Sequence, residues 1–119
     1  MTAAETNPSP ALARDISAVP AVEVITTAAI HLMSAAAVKL GLGDGEGEDE
    51  LLDLDEARKL ITALAGLVTA SAADLGSFHA GPLRHGLQTL QLAFREASVI
   101  ADPPGEGPGE SFAGARHAR

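Results

Sequence analysis

Residues 21–40 read AVEVITTAAIHLMSAAAVKL, and they form the longest apolar stretch of the chain. Pro20 precedes them, and proline suits a helix start because its ring fixes a helical φ and its missing N–H needs no partner there. Gly41 follows them, and glycine readily takes the left-handed conformation that closes a helix. The stretch therefore predicts a first helix over residues 20–40.

The apolar face of this helix is wide. At 100° per residue, one face carries Val22, Ile25, Ala29, Leu32, Met33, Ala36 and Leu40. The face is widened on one side by Val24, Ala28 and Ala35, and on the other by Ile30 and Ala37. Only a narrow polar stripe remains, formed by Glu23, Thr27, His31 and Ser34. Two neighbouring helices would leave part of so wide a face in water.

The same stretch is long enough to span a bilayer, which needs about 20 apolar residues. We interpret it instead as a soluble helix, because a membrane helix rarely carries Glu, His and Lys without partners. The N-terminus also lacks a basic segment followed by an apolar core, so we expect no secretion signal. The prediction is a cytoplasmic protein that does not enter a membrane.

Two further segments have helical spacing. Ala57, Ile61, Leu64 and Val68 step by four, three and four, which predicts a helix over residues 54–71, capped by Asp53 or Asp55. A second seam predicts a helix over residues 82–100 and is formed by Leu83, Leu87, Leu90, Phe94 and Ala97. Between them, residues 72–81 read as a connection that Leu75 and Phe78 anchor to the core.

The two ends of the chain have few apolar residues and many turn formers. We predict disordered tails at residues 1–14 and 101–119, the latter with three prolines and four glycines, which exclude regular structure. Phe112 leaves open a short docking element in the second tail. Residues 15–100 would then be a helical domain, with Ile16 and Val19 folding back onto the first helix. The fold class is all-α, a three-helix bundle.

Composition excludes several classes of function. The formal net charge is −8, and a chain of that charge without a basic cluster repels phosphate backbones. Trp and Tyr are absent, so base-stacking platforms are missing. Cys is absent too, which excludes disulfides and thiol chemistry. We expect no direct binding of nucleic acid.

No pattern of catalytic or metal-binding residues is visible. The acidic loop over residues 41–52 fails the calcium-loop test, because the required sixth-position glycine is Asp49 and the twelfth position is Asp55. His79 and His85 have no zinc spacing, and His31 stands alone. Ser and Thr lack an activating base in the pattern. We predict no catalytic residue, cofactor or metal.

Some phrases of the three helices are distinctive: EARKLITALAGLV in the second and LQLAFREA in the third. With the first helix ending in Leu40 and Gly41, the chain resembles the uncharacterised bacterial family DUF1844, and its actinobacterial branch in particular. The resemblance implies no activity or site residue. Actinobacterial members are often encoded near a translation initiation factor, which implies a translation-linked role. The sequence departs from the family where His79 to Pro82 replace the usual Thr-Pro and acids.

Together these observations predict a non-catalytic helical interaction or structural protein. Its wide first helix predicts a homodimer, with an interface that includes Val24, Ala28, His31 and Ala35. A translation- or ribosome-associated regulatory factor, docking through the acidic loop, is one alternative. A small helical ligand-binding protein or enzyme with a site between helices is another.

Overall fold

The computed structural model describes residues 16–43 and 51–112. Three long helices make up most of this part of the chain: α1 (Ala21–Lys39), α2 (Leu54–Leu75) and α3 (Ser77–Ala97). No strand occurs in the described residues, and the all-α prediction is confirmed. The predicted tail at residues 1–14 and most of the acidic loop, residues 44–50, lie outside them.

The ends of α1 follow the sequence prediction. Pro20 lies just before the helix, and its carbonyl accepts the N–H of Glu23 at 3.0 Å. At the other end Gly41 has a φ of 77°, and its N–H donates to the Val38 carbonyl. The Leu42 N–H donates to the Ala37 carbonyl at 2.9 Å, which completes a Schellman motif. The left-handed glycine thus turns the chain off the helix axis.

Asp53 joins the end of α1 to the start of α2. Its N–H donates to the Lys39 carbonyl at 2.8 Å, and its carboxylate accepts the Glu56 N–H at 3.1 Å. The first bond holds the two ends of the acidic loop together, and the second caps α2. Of the two predicted caps, Asp53 rather than Asp55 fills the role.

The core lies mainly along α2, which packs against both other helices, whereas α1 and α3 touch each other less. The predicted stripe of α2 is fully buried, and on α3 the seam residues Leu83, Leu90 and Phe94 are buried as well. α1 contributes only two buried residues, Ala29 and Ala36. It therefore rests on the α2–α3 pair through these two alanines and through partly buried side chains such as Ile25 and Met33.

A single residue connects α2 to α3, and both helices are longer here than predicted. Gly76 has a φ of 81°; its N–H donates to the Ala72 carbonyl, and its own carbonyl accepts the Ala80 N–H. Pro82 therefore lies inside α3 rather than at its start. The proline removes one N–H that would bond the Phe78 carbonyl, and both residues lie on the exposed side. The helix consequently begins five residues earlier than the proline rule predicts.

The predicted anchors of this connection have different outcomes. Leu75 is buried, as predicted, whereas Phe78 is 85% exposed. Among the described residues, the Phe78 ring makes one ring contact, an edge-to-face contact with His79 at 5.1 Å between centroids. Because α3 starts at Ser77, Phe78 lies in its first turn and points away from the seam.

Residues 101–112 differ from the disordered tail that the sequence predicts. They turn back after α3 and lie across α2 and α3, with Gly107 and Pro108 buried. Arg58 pairs with Asp102, Arg95 pairs with Glu110, and Phe112 faces Gly66. The glycines and prolines exclude a long helix, but they do not prevent close packing. Residues 113–119 lie outside the described part of the chain.

By length and composition, α1 is the one helix within the described residues that could cross a membrane. A core helix of a soluble protein or an N-terminal signal sequence meets the same criterion. α1 also carries Glu23, His31 and Lys39, and it packs against both α2 and α3. Length and composition alone therefore do not make it a membrane helix.

Candidate interaction surface

An open apolar groove runs along the outer side of α1. Its volume is about 780 Å³, and it is lined by Ile16, Val19, Glu23, Val24, Thr27, Ala28, His31 and Leu32. We call this surface the α1 groove. It opens to solvent along its length, whereas a small-molecule site surrounds most of its ligand. Its shape suits a partner helix better than a small molecule.

Local sequence places these side chains together. Val24, Ala28 and Leu32 are four residues apart, so they stack on one side of α1. Ile16 and Val19 come from the turn before Pro20, where the Val19 N–H donates to the Ile16 carbonyl at 3.1 Å. This turn forms one wall of the groove, in line with the prediction that both residues fold back onto the helix.

The residues predicted for the interface occupy different positions. Val24, Ala28 and His31 line the α1 groove and are exposed, with Val24 at 47%. Ala35 is half-buried and lies beyond the end of the groove. Leu32, which the periodicity places on the core face, also reaches the groove. The structure thus brings together three of the four predicted residues on one open surface.

The charged groups of the α1 groove lie on its polar side. Glu23 and His31 are both exposed, and they are separated by two helical turns. Neither makes an ion pair with another described residue. An apolar strip with a carboxylate near one end and an imidazole near the other suits an antiparallel copy of itself.

α1 exposes apolar side chains on its other side as well. A second open cavity of about 510 Å³ lies between α1 and α3, where Ile30, Met33 and Ala37 face His85 and Leu90. At this crossing a Cβ on Gly86 would collide with the Met33 sulfur, so the glycine permits the close approach. The second cavity is smaller than the α1 groove and is shared between two helices.

The other histidines of the described residues, His79 and His85, do not gather into a metal site. His79 shares a cavity of about 210 Å³ with Glu23, Thr26 and Val22. The Thr26 hydroxyl there is buried and has no hydrogen-bond partner among residues 16–43 and 51–112. One imidazole and one carboxylate are fewer ligands than zinc requires. Within residues 16–43 and 51–112 no three His, Cys, Asp or Glu side chains come close enough to hold a metal ion.

One ion pair on the α2 surface perturbs a pKa. Lys59 donates a hydrogen bond of 2.7 Å to Glu56, and this bond, with the charge of the same carboxylate, raises the pKa of Lys59. The ammonium is exposed and does not line the α1 groove. A raised lysine pKa keeps the group charged at neutral pH, so it creates no acid or base there.

No curated protein and no solved structure matches the chain. A family model described as "Domain of unknown function (DUF1844)" matches residues 21–96. This range begins with the first residue of α1 and ends one residue before the end of α3, so it contains the helical bundle but not residues 102–112. Because the match covers more than half of the chain, the protein belongs to the DUF1844 family.

Proposed function

We propose that this protein is a non-catalytic interaction protein of the cytoplasm, and that it forms a homodimer through the α1 groove. The observation that carries the proposal is the exposure of α1, in which Ala29 and Ala36 alone are buried. Contiguous apolar surface on a small soluble protein usually marks an interface. A second α1 would cover this surface with side chains of matching chemistry.

The geometry of α1 favours a two-fold arrangement. Ala28 and its small neighbours allow two helix backbones to approach closely, and a two-fold axis pairs one surface with itself. If the axis passes near Thr27, Glu23 of each copy lies opposite position 31 of the other in an antiparallel pair. Val24, Ala28 and Leu32 would then form the apolar centre of the interface.

Sedimentation equilibrium tests this proposal directly. The chain has no Trp or Tyr, so interference optics should follow it. We expect a dimer at tens of micromolar, and Ala28→Glu should convert it to a monomer, because the change places a carboxylate in a dry interface. Ala35→Glu should weaken the dimer less, since Ala35 lies beyond the groove.

Ala63→Glu is the matched control. Ala63 is exposed on α2 and does not line the α1 groove, so the same substitution there should leave the dimer intact. A wild-type chain that sediments as a strict monomer at these concentrations contradicts the proposal. Equal dissociation by Ala28→Glu and Ala63→Glu would show that charge, rather than the groove, governs association.

A further inference from the structure

Residues 102–112 form a strap that two arginines hold against α2 and α3. Arg95 donates to the backbone carbonyls of Asp102 and Pro103, and it pairs with the Glu110 carboxylate at 2.7 Å. Arg58 of α2 pairs with the Asp102 carboxylate at 3.0 Å. The strap thus presents its acids to the cations of the bundle.

The surface beneath the strap fits it closely. A Cβ on Gly109 would collide with the Cβ of Ala65, and a Cβ on Gly66 would lie 3.6 Å from the Phe112 ring. Gln91 donates to the Pro108 carbonyl at 3.0 Å. We call this surface the strap groove; it is formed by Arg58, Ala65, Gly66, Gln91 and Arg95. Small residues at its centre leave room for a peptide backbone.

One carboxylate organises the strap itself. The same Glu110 oxygen that pairs with Arg95 accepts the N–H groups of Gly105 and Gly107, at 3.0 and 3.1 Å. The turn is therefore shaped around the group that the bundle recognises. A ligand with its charge and turn already in place loses little conformational freedom on binding.

The hinge between α3 and the strap has no apolar anchor. Val99 is 98% exposed and Ile100 is 88% exposed, although both are large apolar residues. The strap is consequently held by ion pairs, hydrogen bonds and a small apolar contact, and not by its connection to α3. Contacts of this kind form and break more readily than core packing.

A further cavity borders the strap groove beside the end of the described strap. This cavity of about 160 Å³ lies next to Phe112, with Val68, Leu87 and Arg84 in its wall. Arg84 makes no ion pair with any described residue, unlike Arg58 and Arg95. In a chain of net charge −8, three arginines thus border one groove. Charge complementarity favours an acidic occupant along its whole length.

We propose that the strap groove is a docking site for an acidic peptide segment of another protein, and that the strap occupies it in cis. The partner's segment would place a carboxylate on Arg95, pass a glycine over Ala65 and set an aromatic ring on Gly66. The strap then acts as a competitor that a partner must displace. This inference is independent of the α1 groove.

A labelled copy of the strap provides the probe. A fluorescein-labelled peptide with the sequence of residues 101–112 is titrated with the full chain, and its anisotropy gives the Kd. The wild-type chain should bind it weakly, because its own strap occupies the groove. In Glu110→Ala the strap loses its organising carboxylate, so the groove should be free to bind the peptide. We expect an affinity about tenfold higher than that of the wild type, which corresponds to a wild-type strap that occupies the groove about nine-tenths of the time.

Glu106→Ala is the matched control, because its carboxylate lies in the same strap and forms no ion pair with a described residue. It should bind the peptide like the wild type. Adding Arg95→Ala to Glu110→Ala should abolish the gain, as should replacing the residue that corresponds to Glu110 by alanine in the peptide. Circular dichroism checks that each variant is folded, and Phe112→Ala serves as a second strap-releasing variant.

Equal affinity of wild type, Glu106→Ala and Glu110→Ala for the peptide would overturn the proposal. A second outcome would also overturn it: a dimer that Glu110→Ala dissociates but Ala28→Glu leaves intact. This result would show that two copies of the chain exchange their straps. A monomeric wild type together with the tenfold gain would support the strap groove and contradict only the proposed dimer.

Discussion

At the scale of single residues, Gly66 shows that a glycine inside a helix need not mark a close contact. It sits in the middle of α2 and faces the Phe112 ring rather than another helix. An alanine Cβ would make ordinary van der Waals contact with the ring.

Gly66→Ala should therefore stabilise the protein. Alanine is favoured over glycine inside a helix by about 0.5–1 kcal/mol, and the contact distance requires no rearrangement. Thermal unfolding should show an increase in Tm of a few degrees. Gly66→Leu is the control, because its larger side chain would displace Phe112 and remove the gain. A lower Tm for Gly66→Ala would mean that the strap packs more tightly on α2 than the 3.6 Å contact with Phe112 indicates.

Asp53 offers a second test at this scale. Asp53→Ala removes the carboxylate that accepts the Glu56 N–H, and loss of such a cap costs about 1 kcal/mol. Asp55→Ala should cost less, because Asp55 contributes only its charge near the positive end of α2. Chemical denaturation of both variants measures the difference. If Asp55→Ala proves the more costly, the cap assignment is wrong.

At the scale of elements, the strap should contribute to stability through Gly109. Gly109 and Gly105 both have positive φ, 74° and 83°, so alanine is strained at either position. Only Gly109 also lies against Ala65. Gly109→Ala should expose the amides of the strap to hydrogen exchange more than Gly105→Ala does, and should lower Tm further. Equal effects would indicate that backbone strain alone is measured.

For each element, the sequence predicts the features that depend on residues close together in the chain. The spacing of Ala57, Ile61, Leu64 and Val68 identifies the buried face of α2, and Pro20 and Gly41 identify the ends of α1. The sequence does not predict the start of α3, because Gly76 alone forms the turn between α2 and α3. Pro82 therefore does not have to occupy the first position of the helix. The strap is missed because its contacts are distant, with Arg58 and Asp102 separated by 44 residues. The α1 groove is anticipated from the width of an apolar face.

At the scale of the whole molecule, net charge should act in opposite directions on the two surfaces. Two chains of charge −8 repel each other, so salt should strengthen a dimer formed through the apolar α1 groove. The strap depends on Arg–carboxylate pairs that salt weakens. Raising NaCl from about 0.01 M to about 0.15 M, which shortens the Debye length from about 30 Å to about 8 Å, should tighten self-association and increase hydrogen exchange in the strap.

Sedimentation and amide exchange on the same samples measure both effects. Neutral osmolyte at matched osmolality is the control, since it does not screen charge. A dimer that loosens as salt rises would place charge pairs, rather than apolar contact, at the centre of the interface. Strap protection that does not change with salt would assign its stability to Phe112 and Gly109.

The bond between the Asp53 N–H and the Lys39 carbonyl also provides a place where an optical reporter can be inserted. Because this bond holds the exit of α1 against the entry of α2, we expect a longer segment between them to cost little: closure entropy rises by only about 0.6 kcal/mol for each doubling of length. The native chain has no Trp or Tyr, so a tryptophan-bearing insert between residues 44 and 50 would be its sole strong near-ultraviolet chromophore. Such an insert should leave Tm within a few degrees of the wild type, and it would give every titration described above a signal of its own.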